Sequence, residues 1–193
     1  MLKKEAQKYL LQVEKIAEQF GYDVHYEKDH PTSSPRNRVL GLLNLVQRDQ
    51  RFLKKLYRLY TGWGGNWSWH IRTEILVRIN DLPYIKKLIA KKALDDNGAE
   101  SPESRFILER DKELYDSDPE FIDNLAQNAV DGFIQTAAVG ATRNLSILKK
   151  FSRLNDTNQY KYVRPSRAAS EAFRNKCLKE AALNRLQILH PKV

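Results

Sequence analysis

The chain has 193 residues, of which 41% are apolar and 30% are charged, a balance that indicates a folded globular protein rather than a disordered segment. A single cysteine, Cys177, excludes an internal disulfide and a cysteine-rich zinc site, and it favours a reducing, cytoplasmic location. The net charge of +9 predicts a polyanionic partner, while the polar start and the lack of 18 consecutive apolar residues predict neither a signal peptide nor a membrane-spanning helix.

The first half of the chain shows helical periodicity. Apolar residues at steps of three and four predict four helices, over residues 2–20, 39–60 with a break at Asp49, 68–79 and 81–94. Gly21 is expected to end the first of these helices. Two prolines among Ser, Thr and Asn predict a loop over residues 29–37.

The second half begins with a turn-rich, acidic linker over residues 95–102. Ser101-Pro102 and Asp118-Pro119 each combine a capping oxygen with a first-turn proline, which predicts two helix starts. The second start opens the longest periodic stretch, predicted as one helix to Phe151, and the last helix follows from Ser166. We therefore predict an all-α bundle of six to eight helices, with segments 1–94 and 95–193 forming one domain or two sub-bundles.

Charge is segregated along the sequence. Residues 1–94 hold 18 basic and 9 acidic side chains, residues 95–131 hold 3 and 12, and residues 132–193 hold 12 and 3. This pattern predicts a basic and an acidic face, unless the three blocks pair with one another inside the fold. The candidate contacts of the acidic face with other protein subunits, or with further copies of the chain, are Glu109, Asp111, Glu113 and Asp116.

No motif for catalysis or for metal binding stands out. The four histidines are scattered, and the densest set of possible ligands, around His25 and His30, is typical of a solvated connector. Cys177 lies among helix-forming residues, and the glycines around Trp63 lack the Gly-Lys-Ser/Thr ending of a phosphate-binding loop. We therefore expect no enzymatic activity, no metal and no cofactor.

The positive signals are cations at helical spacing. Arg51, Lys54, Lys55 and Arg58 fall at i, i+3, i+4 and i+7, which predicts a basic stripe off the apolar seam of one helix. A second patch is formed by Lys86, Lys87, Lys91 and Lys92. A third patch is formed by Arg143, Lys149, Lys150 and Arg153. The basic character then continues through residues that include Arg164, Arg167 and Arg174. Each patch alone is compatible with an ordinary solvated face. Three patches in a chain of this charge predict an interface with nucleic-acid backbone.

All three tryptophans lie between residues 63 and 69, beside the basic stripe. Trp67 shares a four-residue spacing with Ile71 and Ile75, so we expect it in the core. Trp63, between glycines, is the candidate for exposure and for stacking on an unpaired base, with packing at a helix junction as the alternative.

A small, basic, helical chain with several cationic faces, a split charge pattern and no catalytic motif resembles the small subunit of CRISPR Cascade-type effector complexes. The resemblance concerns overall character over most of the chain. It implies a subunit without enzymatic activity that repeats along a ribonucleoprotein and lines the path of displaced or paired DNA.

The sequence thus leads to three hypotheses of function. The first is a subunit that binds DNA or RNA backbone inside a multi-subunit ribonucleoprotein. The second is a DNA-binding regulator or packaging protein that acts as a homo-oligomer. The third is a helical adaptor or inhibitor whose basic faces bind an acidic protein.

Overall fold

The computed structural model describes residues 2–22, 35–61, 66–95, 100–154 and 167–191. Within these ranges the regular structure consists of eleven α-helices and no strand, which confirms the all-α prediction and corrects the predicted number of six to eight. No helix of the described part is long and apolar enough to cross a membrane.

Contacts along the chain group it into two compact units, Met1–Ile85 and Lys86–Val193. The helices of the first half are α1 (Leu2–Gln19), α2 (Pro35–Val46), α3 (Gln50–Thr61), α4 (Asn66–Leu76) and α5 (Leu82–Lys92). Those of the second half are α6 (Pro102–Glu109), α7 (Asp111–Ser117), α8 (Pro119–Asn128), α9 (Gly132–Ala141), α10 (Leu145–Ser152) and α11 (Arg167–Leu189). The unit boundary falls inside α5, whereas the sequence places its segment boundary after Leu94.

In the first unit, α1 packs on α2 and α3, and α4 packs on α2 and α3. Two breaks predicted from the sequence are confirmed. Gly21 has a φ of 76°, and the amides of Gly21 and Tyr22 donate to the carbonyls of Glu18 and Ala17, so α1 ends in a Schellman turn. Asp49 separates α2 from α3, and its Oδ1 caps α3 by accepting from the amide of Phe52 at 2.9 Å.

In the second unit, α9 is central and packs against α6, α8 and α11. Its Ala-rich sequence permits this, because small side chains let three neighbours approach one helix. At Gly140 the nearest side-chain atom, from Leu108, would stand 3.6 Å from an added Cβ, which is ordinary contact.

The stretch predicted as one helix from residue 119 to 151 is three helices, α8, α9 and α10. Two capping side chains begin the second and third of these helices. Asp131 accepts from the amides of Phe133 and Ile134, and Asn144 accepts from the amide of Ser146 at 3.1 Å. The periodicity hides the breaks because apolar residues continue after each cap, although in a shifted phase that buries Ile134 and leaves Phe133 exposed.

Two arginines of α11 hold the ends of these short helices. Arg174 donates to the carbonyl of Ala129 at 2.9 Å and to the side chain of Gln135. Arg185 donates to the carbonyls of Ala141 and Thr142, at 2.9 and 3.1 Å. Since the last carbonyls of a helix have no partner within it, these guanidinium groups satisfy the C-terminal ends of α8 and α9. The order of the contacts also shows that α11 runs parallel to α9.

Candidate nucleic-acid interface

The outer face of α3 is basic. Its inner face is formed by residues with no solvent exposure, among them Phe52, Leu56 and Tyr60, so the opposite face must meet solvent. Arg51, Lys55 and Arg58 lie exposed there at i, i+4 and i+7. Over this spacing the three cations extend along about 10 Å of helix.

No carboxylate neutralises Arg51 or Lys55 within the part of the chain that the structure describes. Lys55 donates to the neutral amide of Gln19 at 2.9 Å, and Asp49 is engaged by the amide of Phe52 and the hydroxyl of Tyr22. Burial raises the pKa of Tyr22, and the hydrogen bond that its hydroxyl donates to the Asp49 carboxylate raises this pKa further.

Lys54 does not share this exposed face, contrary to the expectation that it lies off the packed side of the helix. Its ammonium group forms an ion pair with Asp81 and lies 5.0 Å from the centre of the Tyr84 ring. The side chain is only 26% exposed. Lys54 therefore joins α3 to the start of α5, and its spacing in the sequence could not show this because Asp81 is 27 residues away.

The predicted patch on α5 divides in the same way. Lys87 and Lys91, at i and i+4, are exposed and form no ion pair with a described residue. Lys86 lies 3.1 Å from Asp118, and Lys92 lies 3.3 Å from the buried carboxylate of Asp131. One half of the patch therefore serves the fold and the other half meets solvent.

The third patch keeps three of its four members together. Lys149, Lys150 and Arg153 are exposed at the C-terminal end of α10, whose inner side chains Ile147, Leu148 and Phe151 are buried. Within the described ranges none of the three cations forms an ion pair. Arg143 instead pairs with Asp116 at 2.9 Å and stacks over the ring of Tyr115.

The three lysines that turn inward face carboxylates placed in the same way, although only Lys54 and Lys86 donate a hydrogen bond and Lys92 forms an ion pair alone. In Asp81, Asp118 and Asp131, Oδ1 accepts from amides in the first turn of α5, α8 or α9, and Oδ2 faces Lys54, Lys86 or Lys92. Each carboxylate thus serves two elements at once. We call these three pairs the lysine–cap pairs.

Two of the lysine–cap pairs shift a pKa. The ammonium of Lys54 and the amide of Tyr84 lower the pKa of Asp81, and the amide of Phe121 and the ammonium of Lys86 lower that of Asp118. A depressed carboxyl pKa stabilises the fold above the ordinary value near 3.8. That contribution is lost as the pH falls through the lowered pKa.

Acid unfolding tests this arrangement. The melting temperature is expected to fall as the pH drops from about 4 toward 2, because Asp81 and Asp118 then lose their charge. In a Lys54→Met/Lys86→Met variant, the melting temperature at pH 7 should be lower and its decline in acid shallower. Lys55→Met/Lys87→Met is the matched control, since both of its lysines are exposed. Equal acid profiles for the two double variants would show that the lysine–cap pairs do not stabilise the protein.

Each acidic residue chosen for a subunit contact has a cation of the same chain. Two pairs are local: Glu109 with Arg105 at 2.8 Å, and Glu113 with Arg110 at 2.6 Å. Two are long-range: Asp111 with Arg185, and Asp116 with Arg143, both at 2.9 Å. The long-range pairs join the acidic residues 95–131 to the basic residues 132–193. The lysine–cap pairs of Asp118 and Asp131 join them to the basic residues 1–94. The charged blocks therefore pair with one another inside the fold, which was the alternative to a separate acidic face.

Counted by compact unit, the positive excess is divided almost evenly. The first unit holds 14 basic and 9 acidic residues, a net of +5, and the second holds 19 and 15, a net of +4. The acidic block lies wholly in the second unit. Among the described residues, exposed cations without a described acidic partner include Arg51 and Lys55 in the first unit and Lys87, Lys91, Lys149, Lys150 and Arg153 in the second.

Some predicted site residues lie outside the described part. Trp63 and Arg164 belong to ranges that the structure does not describe, as do His25 and His30. Arg167 begins α11 and Trp67 belongs to α4, but the positions of their side chains are not described.

Among the described residues, no group of three or more His, Cys, Asp or Glu side chains is placed to hold a metal ion. Cys177 is partly buried on α11, and this burial, with Glu180 nearby, raises the pKa of its thiol. A raised pKa keeps the sulfur protonated and makes it a poor nucleophile.

Comparison with known proteins gives no relative: no protein-family model, no curated protein and no solved structure matches the chain.

Proposed function

We propose that the protein binds nucleic-acid backbone, DNA or RNA, as a subunit of a multi-subunit ribonucleoprotein. The proposal rests on a contrast between two groups of cations in the protein. The cations that pair with acids distant in the sequence include Lys54, Lys86, Lys92 and Arg185, which are largely buried and join helices. Arg51 and Lys55 on α3 and the cluster on α10 instead face solvent without an acidic partner in the described part.

Clustered cations without carboxylates suit a polyanion. Like charges one turn apart on a helix repel one another, and phosphates that bind between them relieve the repulsion. The described faces carry no arrangement of side chains known to read base edges, so contact with phosphates is the mode that they support.

The proposed ribonucleoprotein setting rests on the resemblance of the sequence to the small subunit of CRISPR Cascade-type effector complexes. Under this proposal, the partners are nucleic acid, other subunits and further copies of the chain, and the chain itself does no chemistry. Purification of the untagged chain from its source, followed by identification of the bound nucleic acid and proteins, tests the setting directly.

A salt titration tests the binding itself. For duplex DNA, the logarithm of the association constant should fall linearly with the logarithm of salt concentration, with a slope of about −0.9 for each phosphate neutralised. The Arg51→Gln/Lys55→Gln/Arg58→Gln variant should bind more weakly at low salt, and its slope should be shallower by at most about 2.7. Circular dichroism should show an unchanged fold, since all three side chains are exposed.

The matched control removes the same charge elsewhere. Arg105→Gln/Arg110→Gln/Lys112→Gln changes three cations in the acidic segment and should leave the slope near that of the wild type. Equal losses in both variants would mean that only net charge matters. If polyglutamate competes as well as DNA at equal charge, the adaptor hypothesis replaces the proposal.

A further inference from the structure

The two units carry their excess positive charge separately, with a net of +5 on residues 1–85 and +4 on residues 86–193. From this we infer that the protein holds two nucleic-acid segments at once, one on each unit, and so bridges them. The inference rests on the proposed function and adds to it the number of sites and their places.

The site of the first unit is the outer face of α3. Arg51, Lys55 and Arg58 point away from a fully buried apolar face, which fixes their direction. The contact between Lys55 and Gln19 of α1, and the position of the Lys55 ammonium 5.6 Å from the Phe20 ring, orient the middle cation. The lysine–cap pair of Lys54 with Asp81 holds the same helix from its side.

The site of the second unit is the end of α10. Lys149, Lys150 and Arg153 lie within five consecutive residues, and all three are exposed. Within the described part no carboxylate pairs with them, and four carboxylates of the acidic block face Lys86, Lys92, Arg143 and Arg185 instead. Phe151, buried beneath Lys150, fixes the helix on its own unit.

Two sites on one chain give bivalent binding. Each unit has its own apolar core, so neither basic face needs the other unit to be positioned. Where both segments belong to one nucleic-acid molecule, binding of the first raises the effective concentration of the second at the other site.

Stoichiometry with short duplexes tests the inference. A duplex of about 10 base pairs is roughly one helical turn, about 34 Å long. Isothermal titration at low salt, with DNA and RNA duplexes of one sequence, should give two duplexes per wild-type chain. It should give one duplex for Arg51→Gln/Lys55→Gln/Arg58→Gln and one for Lys149→Gln/Lys150→Gln/Arg153→Gln.

A bridging assay is the second readout. Wild-type protein should capture a fluorescent duplex on beads that carry an unlabelled one, and each triple variant should lose this capture while still binding a duplex in solution. The combined six-residue variant should bind duplex much more weakly than either triple variant, since Lys87 and Lys91 are the cations of the three predicted patches that it leaves exposed without a described ion pair. Light scattering of each protein determines the number of chains in the species tested.

Three results would overturn bridging by a single chain. They are one duplex per wild-type chain, loss of all binding in a single triple variant, or capture that persists in both triple variants through a dimer. In each case the protein still binds nucleic acid, so the proposed function stands. Failure of the wild type to bind any duplex would instead remove the proposed function.

Discussion

Replacing Arg185 by Met is expected to lower the free energy of unfolding by about 3–5 kcal/mol. The side chain of Arg185 is only 9% exposed, and it donates to two carbonyls at the end of α9 and to Asp111 at 2.9 Å. Met fills most of the volume but donates no hydrogen bond. The variant therefore leaves two buried carbonyls and a partly buried carboxylate without their donor. Urea denaturation followed by circular dichroism measures the loss.

An exposed pair supplies the control for this prediction. Arg105 pairs with Glu109 one turn away on α6, and both side chains are well exposed. Arg105→Met should cost only about 0.3–0.5 kcal/mol, as exposed pairs of this spacing do. A loss at Arg185 as small as that at Arg105 would show that the guanidinium does not hold the end of α9.

The fold was predictable where a local residue sets the structure. Gly21 ends α1 and Asp49 separates α2 from α3, because each acts on amides or carbonyls a few residues away. Asp131 and Asn144 act just as locally, yet their caps lie inside an unbroken apolar pattern. A capping side chain in such a pattern is compatible with an exposed position on a continuous helix, so the number of helices was underestimated.

The candidate site was predictable only as far as helical spacing determines it. Spacing correctly places Arg51, Lys55 and Arg58 on one face of α3. It cannot separate Lys54 from them, because the inward turn of Lys54 depends on a carboxylate brought near by the fold. The roles of Arg174 and Arg185 have the same origin, since the carbonyls that they satisfy lie more than 40 residues away in the chain.

The acidic block shows the same limit at the level of charge. The composition of residues 95–131 is compatible with an acidic face or with internal pairing, and only the contacts distinguish the two. The pairs of Asp111 with Arg185 and of Asp116 with Arg143 favour internal pairing. Contact of the block with another subunit stays a prediction, and one set of variants decides between the two.

Reversing the charge of the two long-range acids is expected to destabilise the isolated chain strongly. In Asp111→Lys/Asp116→Lys, an ammonium group replaces the carboxylate beside the buried Arg185 and another replaces the partner of Arg143. Breaking a buried ion pair costs about 3–5 kcal/mol, and like charges placed together add to that cost. The melting temperature should therefore fall by roughly 10 °C or more, since 1 kcal/mol corresponds to about 2–4 °C in a chain of this size.

The local acids make the matched comparison. Glu109→Lys/Glu113→Lys alters net charge by the same amount, but its carboxylates pair with exposed arginines close by in the sequence, at about 0.2–1 kcal/mol each. This variant should melt within a few degrees of the wild type. If both double variants instead melt normally but no longer co-elute with the proteins that co-purify with the wild type, the four carboxylates contact a partner. Internal pairing predicts the opposite order: the long-range variant loses stability without any partner present, because its cations belong to its own fold.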